Sequence, residues 1–263
     1  MSTNPFTRQA PIEGIKKVIL VGSGKGGVGK STVAANLALA LKNTGKTVGL
    51  LDADIYGPSV PRMFGAMNQI PQVNEKSRIQ PIIRHGLKLM SIGFLIDEGS
   101  AVVWRGPMLF KAMDQFFRDV DWGTLDYLVI DLPPGTGDVP LTVAQKIPVD
   151  GAIIVCTPQN LALVDAKKAI DMFDQVSIPL LGVVENMSYM LGPDGEQKIQ
   201  LFARGDLDAY LDAKKISKLT TVPFHPMVGV TTEAGMPVVI SHPNSAEAKA
   251  FAELAAAVLK QTE

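Results

Sequence analysis

The sequence predicts an α/β fold, a mainly parallel β-sheet with helices on both faces. Short runs rich in Val, Ile and Leu recur along the 263 residues, and several are apolar at every position, as strands covered on both faces are. A helical pattern follows the first run, and a glycine-rich segment joins the two. Strand, helix, strand repetition then calls for parallel pairing, because a helical crossover returns the chain to the same end of the sheet.

Residues 1–14 (MSTNPFTRQAPIEG) are polar, hold two prolines and show no period, which predicts an exposed, flexible N-terminal tail. The remainder, 15–263, is expected to form a single domain, since its length suits one large α/β unit with a sizeable core. The predicted strands are 17–21, 47–51, 87–92, 125–131, 152–157 and 180–185. Residues 31–43 predict a helix, with Val33, Leu37 and Leu41 four apart and Gly45 following as a stop. The segment 57–80, with three prolines and scattered apolar residues, predicts mobile surface structure beside the site. Residues 246–260 predict a closing amphipathic helix with Phe251, Leu254, Val258 and Leu259 on one side. Its polar face is not basic, so it reads as a cover for the sheet rather than a membrane anchor.

Lys and Arg number 25 against 26 Asp and Glu, and 6% of residues are aromatic. A nucleic-acid groove needs a basic stripe and usually stacking aromatics, so nucleic acid is not an expected partner. The apolar runs are far shorter than the ~20 residues that span a bilayer, so no membrane partner is expected either. One cysteine, Cys156, and no charged segment leading into an apolar one at the start give a cytoplasmic reading.

The glycine-rich segment carries the chemistry. Residues 22–31 read GSGKGGVGKS and contain G-x-x-x-x-G-K-[ST] as Gly24, Gly29, Lys30 and Ser31, with a strand before and a helix after. Glycines let successive N–H groups turn inward toward phosphate oxygens, and the helix start adds its positive end. The expected nucleotide contacts are therefore Gly24, Lys25, Gly26, Gly27, Val28, Gly29, Lys30, Ser31 and Thr32. Lys30 is expected to neutralise the β and γ oxygens, with Ser31 holding Mg²⁺ through its hydroxyl. A plain glycine-rich turn would need neither the lysine nor the serine.

Lys25 lies inside the loop, where an ordinary phosphate loop needs no charge. It cannot easily fold back on its own phosphates, so a facing subunit's nucleotide is its natural target across a two-fold axis. The alternative is a solvated lysine that tunes the local potential. Two strand-end segments supply carboxylates: LLDAD gives Asp52 and Asp54, and VIDLPPGTG gives Asp131. Carboxylates beside a phosphate loop sit where Mg²⁺ and an attacking water need them. Asp131, which ends an apolar strand, is the metal-side candidate, Asp52 supports Mg²⁺, and Asp54 orients the water. The alternative for either segment is a capping or turn aspartate.

GKGGVGKS, DADIYGPS, WRGP (104–107), DYLVIDLPPGTGD and ENMSY (185–189) resemble the Mrp/ApbC family of P-loop ATPases, iron–sulfur cluster carriers related to MinD and ParA. The likeness runs from about residue 15 to the end. It implies a P-loop NTPase of the MinD-like (SIMIBI) class, ATP and Mg²⁺ as ligands, and a homodimer in which Lys25 reaches the partner's ATP. It also implies a hydrolytic role for Asp54 and an adenine contact for Asn186, whose amide both donates and accepts.

One departure stands against these matches. Cluster-carrying members have a C-x-x-C pair shortly after the segment matching ENMSY; here residues 190–201 read MLGPDGEQKIQL. Fe–S clusters normally take four thiolates, and this chain has one cysteine, at the end of an apolar strand. Pro193, Asp194 and Gly195 form an x-P-D-G-x turn, with Ile199 and Leu201 alternating behind it, so a hairpin closed by turn chemistry is expected. His85, His225 and His242 lack ligand spacing.

Two readings follow. One is a dimeric ATPase supporting iron–sulfur assembly, its cluster contact weakened, indirect or shared with another protein, and its client an apoprotein or assembly factor. The other is a MinD-like switch whose ATP-driven dimerisation recruits a protein partner without cluster chemistry. A small-molecule kinase on the same fold needs an acceptor pocket that no sequence feature names.

Overall fold

The computed structural model describes residues 9–95 and 106–263. Its first half runs β1 (Ile15–Ser23), α1 (Lys30–Asn43), β2 (Val48–Asp52), α2 (Val60–Met63), β3 (Ile82–Arg84), β4 (Leu87–Ser91), α3 (Gly106–Arg118), β5 (Leu125–Asp131) and α4 (Asp138–Lys146). The second runs β6 (Gly151–Cys156), α5 (Asn160–Gln175), β7 (Leu180–Glu185), β8 (Met190–Leu191), β9 (Lys198–Ile199), α6 (Leu207–Lys214), β10 (Lys218–Thr221), α7 (Pro226–Glu233), α8 (Val238–Ser241) and α9 (Ala246–Thr262).

Eight strands form one sheet in the order β10-β7-β6-β1-β5-β2-β4-β3. Every pairing is parallel except β3 with β4. The sequence expectation of a mainly parallel sheet holds, and the physical reason is visible in β1. Val18 and Leu20 face one apolar layer, together with Phe116, Phe117 and Phe173 from α3 and α5. Ile19 and Val21 face the other, with α1 and α9. A strand covered twice has no polar face, which is why the run is apolar at consecutive positions.

Helix α1 is buried nearly all round, from Val33 to Leu41, because it lies between the sheet and α9. Its buried Asn36 is satisfied at both ends of its amide, donating to the Thr32 carbonyl (2.9 Å) and accepting from Val239 N–H (3.1 Å).

Three expectations need correction. Residues 1–8 of the expected tail lie outside the described residues, but 9–14 are docked rather than free. Ala10 N–H donates to the Lys146 carbonyl (3.1 Å), the Arg118 guanidinium donates to the carbonyls of Ala10 and Pro11, and Ile12 is buried. The segment expected to be mobile from 57 to 80 contains α2, and Val60, Met63, Phe64 and Ala66 are core residues. Leu201 lies past the end of β9, so the strand behind the 193–195 turn is only two residues long. Trp104 and Arg105 of the WRGP segment lie outside the described residues.

Candidate functional site

Parallel β1, β5 and β2 end on the same edge of the sheet, and the loops leaving them build the site. The loop after β1 turns through Gly27 (φ +78°) and Gly29 (φ +82°) into α1. Gly29 is required twice over: its φ is left-handed, and a Cβ there would meet the Asn186 amide nitrogen at 2.2 Å. At Gly24 a Cβ would lie 2.1 Å from the backbone of Asp165 in α5. The loop is thus pressed between α5 and the residues after β7, and no side chain caps the start of α1. The first N–H groups of that helix remain available to an anion.

Lys30 opens α1 and folds back onto β5. Its Nζ lies 2.5 Å from Asp131 Oδ1 and 3.2 Å from Ser31 Oγ. The pair is buried, at 6% and 0% exposure, and the other Asp131 oxygen, Oδ2, has no partner among the described residues. Burial pushes the Asp131 carboxyl up, against the pull of the Lys30 ammonium. An orphaned buried carboxylate oxygen is uncommon and calls for a further ligand. With a serine hydroxyl alongside, the set of hard oxygen donors suits Mg²⁺.

Asp52 stands beside Asp131 but does different work. Its Oδ2 accepts from Ser59 N–H, Val60 N–H and Ser91 Oγ, each at 3.0 Å, and its Oδ1 accepts from Asp54 N–H at 3.2 Å. It caps the start of α2 from a distance in the chain, mainly through Oδ2, while Oδ1 takes a single N–H and keeps accepting capacity for the Mg²⁺ support expected of it. Burial and then the neighbouring Asp131 push its carboxyl up to about 7.

Asp54 is mostly buried and accepts from Gly57 N–H at 3.2 Å. It lines a cavity of about 520 Å³ with Tyr56, Gly57, Pro133, Pro134 and Asp138, so the loops after β2 and β5 form its two walls. Lys25 is half-buried, and its ammonium has no hydrogen-bond or ion-pair partner among the described residues; its backbone carbonyl accepts from Ser23 Oγ (2.9 Å).

Asn186 is buried, and its amide nitrogen donates to the Val28 carbonyl at 2.8 Å. It therefore braces the loop, while Oδ1 has no partner among the described residues. The same residue borders a second cavity, about 390 Å³, lined by Thr32, Met187, Pro223, Phe224, His225 and Val228 among others. Its apolar walls next to the start of α1 have the size and character of a base pocket. Sequence reasoning missed Pro223, Phe224 and Val228. The available signal was the V-P-F-H-P run directly after a strand, where open α/β sheets place ligands.

The remaining candidates do not converge as metal ligands, although His225 also lines the apolar pocket. Cys156 closes β6, is 1% exposed, and has its thiol pushed up to about 12 by burial and then by Glu185. His85 Nε2 donates to the Gly235 carbonyl (3.1 Å), and His225 Nδ1 caps α7 by accepting from Met227 N–H (3.0 Å). In the 190–199 hairpin, Asp194 accepts from Glu196 and Gln197 N–H, both at 3.0 Å, so turn chemistry closes it. No helix among the described residues is long and apolar enough to cross a membrane.

A strand–glycine loop–helix with this lysine, serine and strand-end aspartate, on this sheet, defines a P-loop NTPase of the MinD/ParA-like class. Residues 14–259 match the ParA family, described as NUBPL iron-transfer P-loop NTPase. The chain belongs to that family, which includes the Mrp/ApbC carriers. It is 51% identical to the iron–sulfur cluster carrier protein of Aquifex aeolicus over 95% of this chain and 69% of that one. It is 46% identical to the mouse iron–sulfur cluster transfer protein NUBPL over 97% and 80% of the two chains. Among solved structures, a nucleotide-binding protein of Archaeoglobus fulgidus in complex with ADP is 38% identical (TM-score 0.78, covering 91% of this chain and 93% of that one). The Pyrococcus furiosus cell-division ATPase MinD (24%, TM-score 0.69, covering 93% and 98%) shares the fold.

Proposed function

We propose that this chain is a Mg²⁺-dependent ATPase that works as a homodimer in iron–sulfur cluster assembly, with the cluster as cargo held mainly by other proteins. One observation carries the reading: the buried Lys30–Asp131 pair, with its orphaned Asp131 Oδ2, at the start of an uncapped helix. The N–H groups of residues 24–31 bind the phosphates, and Lys30 leaves Asp131 to neutralise them. Ser31 and Asp131 would hold Mg²⁺, which would supply positive charge at the phosphate oxygens. Asp54 orients the attacking water from the wall of its cavity. Asn186 and the apolar pocket beside it take adenine.

The Lys25 ammonium has no anionic partner among the described residues, and acts on the ATP of a second copy across the two-fold axis. Charge supplied this way in related phosphoryl transfers raises the rate by ~10³ to 10⁵. The test is Mg²⁺-dependent phosphate release by the wild type and Lys25→Ala, with oligomeric state measured in parallel. Lys25→Ala should bind nucleotide but lose turnover; unchanged turnover by a monomer would remove the case for the dimer.

A second reading, a MinD-like switch that recruits a partner without cluster chemistry, is favoured by the shortage of thiolates. The one cysteine is buried with its thiol pushed far above neutrality, and the hairpin at 190–199 has neither cysteine nor histidine. These residues do not fit an iron–sulfur cluster. The client, in either reading, is a protein.

A further inference from the structure

The turn after β7 holds a buried carboxylate that the proposed mechanism leaves unused. Glu185 is 1% exposed and is the last residue of β7. Its Oε1 accepts from Ser188 Oγ, and its Oε2 from Lys218 Nζ at 3.2 Å, with the Arg204 guanidinium 3.9 Å away. Lys218 and Arg204 each also pair with Asp208. Three separate pieces of chain meet on this one side chain: the turn itself, β10, and the segment that returns from the 190–199 hairpin.

The Ser188 bond matters most for the nucleotide. Residues 185–188 reverse direction with Met187 in the left-handed region, φ +53°, a conformation that costs a methionine about 1 kcal/mol or more and needs support from its surroundings. That support is a small network. Glu185 grips Ser188 through side chains, Ser188 N–H donates to the Val222 carbonyl (3.1 Å), Val222 N–H donates to the Glu185 carbonyl (2.9 Å), and Asn186 N–H donates to the Cys156 carbonyl (2.8 Å). Between the two gripped residues sits Asn186, whose amide nitrogen reaches Val28 while its oxygen remains free among the described residues. Val222 also lines the apolar pocket.

We infer that Glu185 is a positioning residue for base recognition: by holding Ser188 it fixes the turn that sets Asn186 against the Val28–Gly29 loop with its amide oxygen ready for the base. The inference rests on the nucleotide-binding reading above. An amide oxygen accepts from the exocyclic amine of adenine but meets a second acceptor in the carbonyl of guanine, so the geometry of Asn186 sets an ATP-over-GTP preference.

The experiment is calorimetric titration of MgATP and MgGTP into the wild type, Glu185→Ala, Glu185→Gln and Ser188→Ala, with thermal melts of each nucleotide-free protein. Glu185→Ala and Ser188→Ala should weaken ATP about tenfold and GTP much less, narrowing the ratio. Glu185→Gln keeps an oxygen for Ser188 and should retain the wild-type ratio within about twofold. Ser188→Ala removes only a hydroxyl, so it reports on the turn even where Glu185→Ala fails to fold.

Equal losses of ATP and GTP, unchanged ATP affinity in Ser188→Ala, or Glu185→Gln as weak as Glu185→Ala would each overturn the inference. A wild type that binds both nucleotides equally would overturn it too. A wild type that binds neither would instead sink the nucleotide-binding reading on which it stands.

Discussion

Asp52 and Asp131 are register partners at the ends of neighbouring parallel strands, both fully buried, and each disposes of its charge in a different way. Asp131 takes the Lys30 ammonium on one oxygen and leaves the other without a partner. Asp52 takes no cation and is surrounded by N–H and O–H donors from residues 54, 59, 60 and 91. Burial and the Asp131 charge raise its carboxyl from an ordinary 3.8 to about 7. The folded state therefore holds a proton there that the unfolded chain releases near pH 4. The stability this contributes is complete below about pH 4 and is lost as pH rises to about 7. Melts of the nucleotide-free protein should show Tm falling across that window. Asp52→Asn carries no titrating proton and can seat its carbonyl oxygen where Oδ2 accepts from Ser59 and Val60, so it should flatten the fall. An equally steep Tm profile in Asp52→Asn would place the titration elsewhere.

Lys30 is the counter-charge both to Asp131 in the free protein and, in the proposed mechanism, to the phosphates. Lys30→Ala should lower nucleotide affinity by roughly a hundredfold or more, since the charge-assisted contact to phosphate disappears. It should also destabilise the free protein, because a buried carboxylate loses its partner. That cost should grow with pH: at low pH Asp131 takes up a proton, and at high pH it must stay charged and alone. Titration calorimetry and melts at about pH 5 and about pH 8 check both parts. Wild-type affinity in Lys30→Ala would mean that the amides of residues 24–29 suffice to hold the triphosphate.

Asp54 lines the cavity of about 520 Å³, while Asp52 makes the bonds that hold the start of α2. Removing the Asp54 side chain should therefore spare the fold of α2 and the phosphate loop. Asp54→Ala is expected to bind MgATP normally, to release phosphate about 100-fold more slowly or worse, and to accumulate as a closed dimer with ATP. Phosphate release and size-exclusion chromatography measure the two effects. Normal turnover would show that the water is positioned by another group.

Legibility in the sequence followed burial. β1, β5 and β6 lie inside the sheet, so their apolar runs announce them. β10 lies at its edge, and Lys218, Thr220 and Thr221 give it no apolar signature. α2 was hidden by its prolines, although Pro61 near a helix start is itself a start signal. The phosphate loop could be read because one short segment makes nearly all its contacts. The apolar pocket was harder to read: its walls come from α1, the turn after β7, the segment leading into α7, α7 itself and α9, residues from 32 to 251, and only the V-P-F-H-P run marks any of them in the sequence. The bonds of Asp52 to residues 59, 60 and 91 were equally hidden, since two aspartates two apart at a strand end look alike until their donors are placed.

Cysteine chemistry separates the two functional readings. A cluster ligand must be a thiolate, and a thiol pushed up to about 12 stays protonated near neutral pH. Cys156 is moreover 1% exposed in the apolar layer that α3 and α5 pack onto, so presenting its sulfur would require opening that layer. Anaerobic incubation of this chain with iron and sulfide, with and without MgATP, should give no charge-transfer absorbance beyond that of a protein-free control. Cys156→Ala should leave phosphate release unchanged, because the proposed mechanism gives its buried side chain no part. Adding a client apoprotein or assembly factor that brings its own thiolates then distinguishes the assembly role from the bare switch. An effect of MgATP on cluster arrival at that partner supports the first reading, and none supports the second. Stoichiometric absorbance on this chain alone, abolished in Cys156→Ala, would mean that β6 opens and that the protein carries the cluster itself.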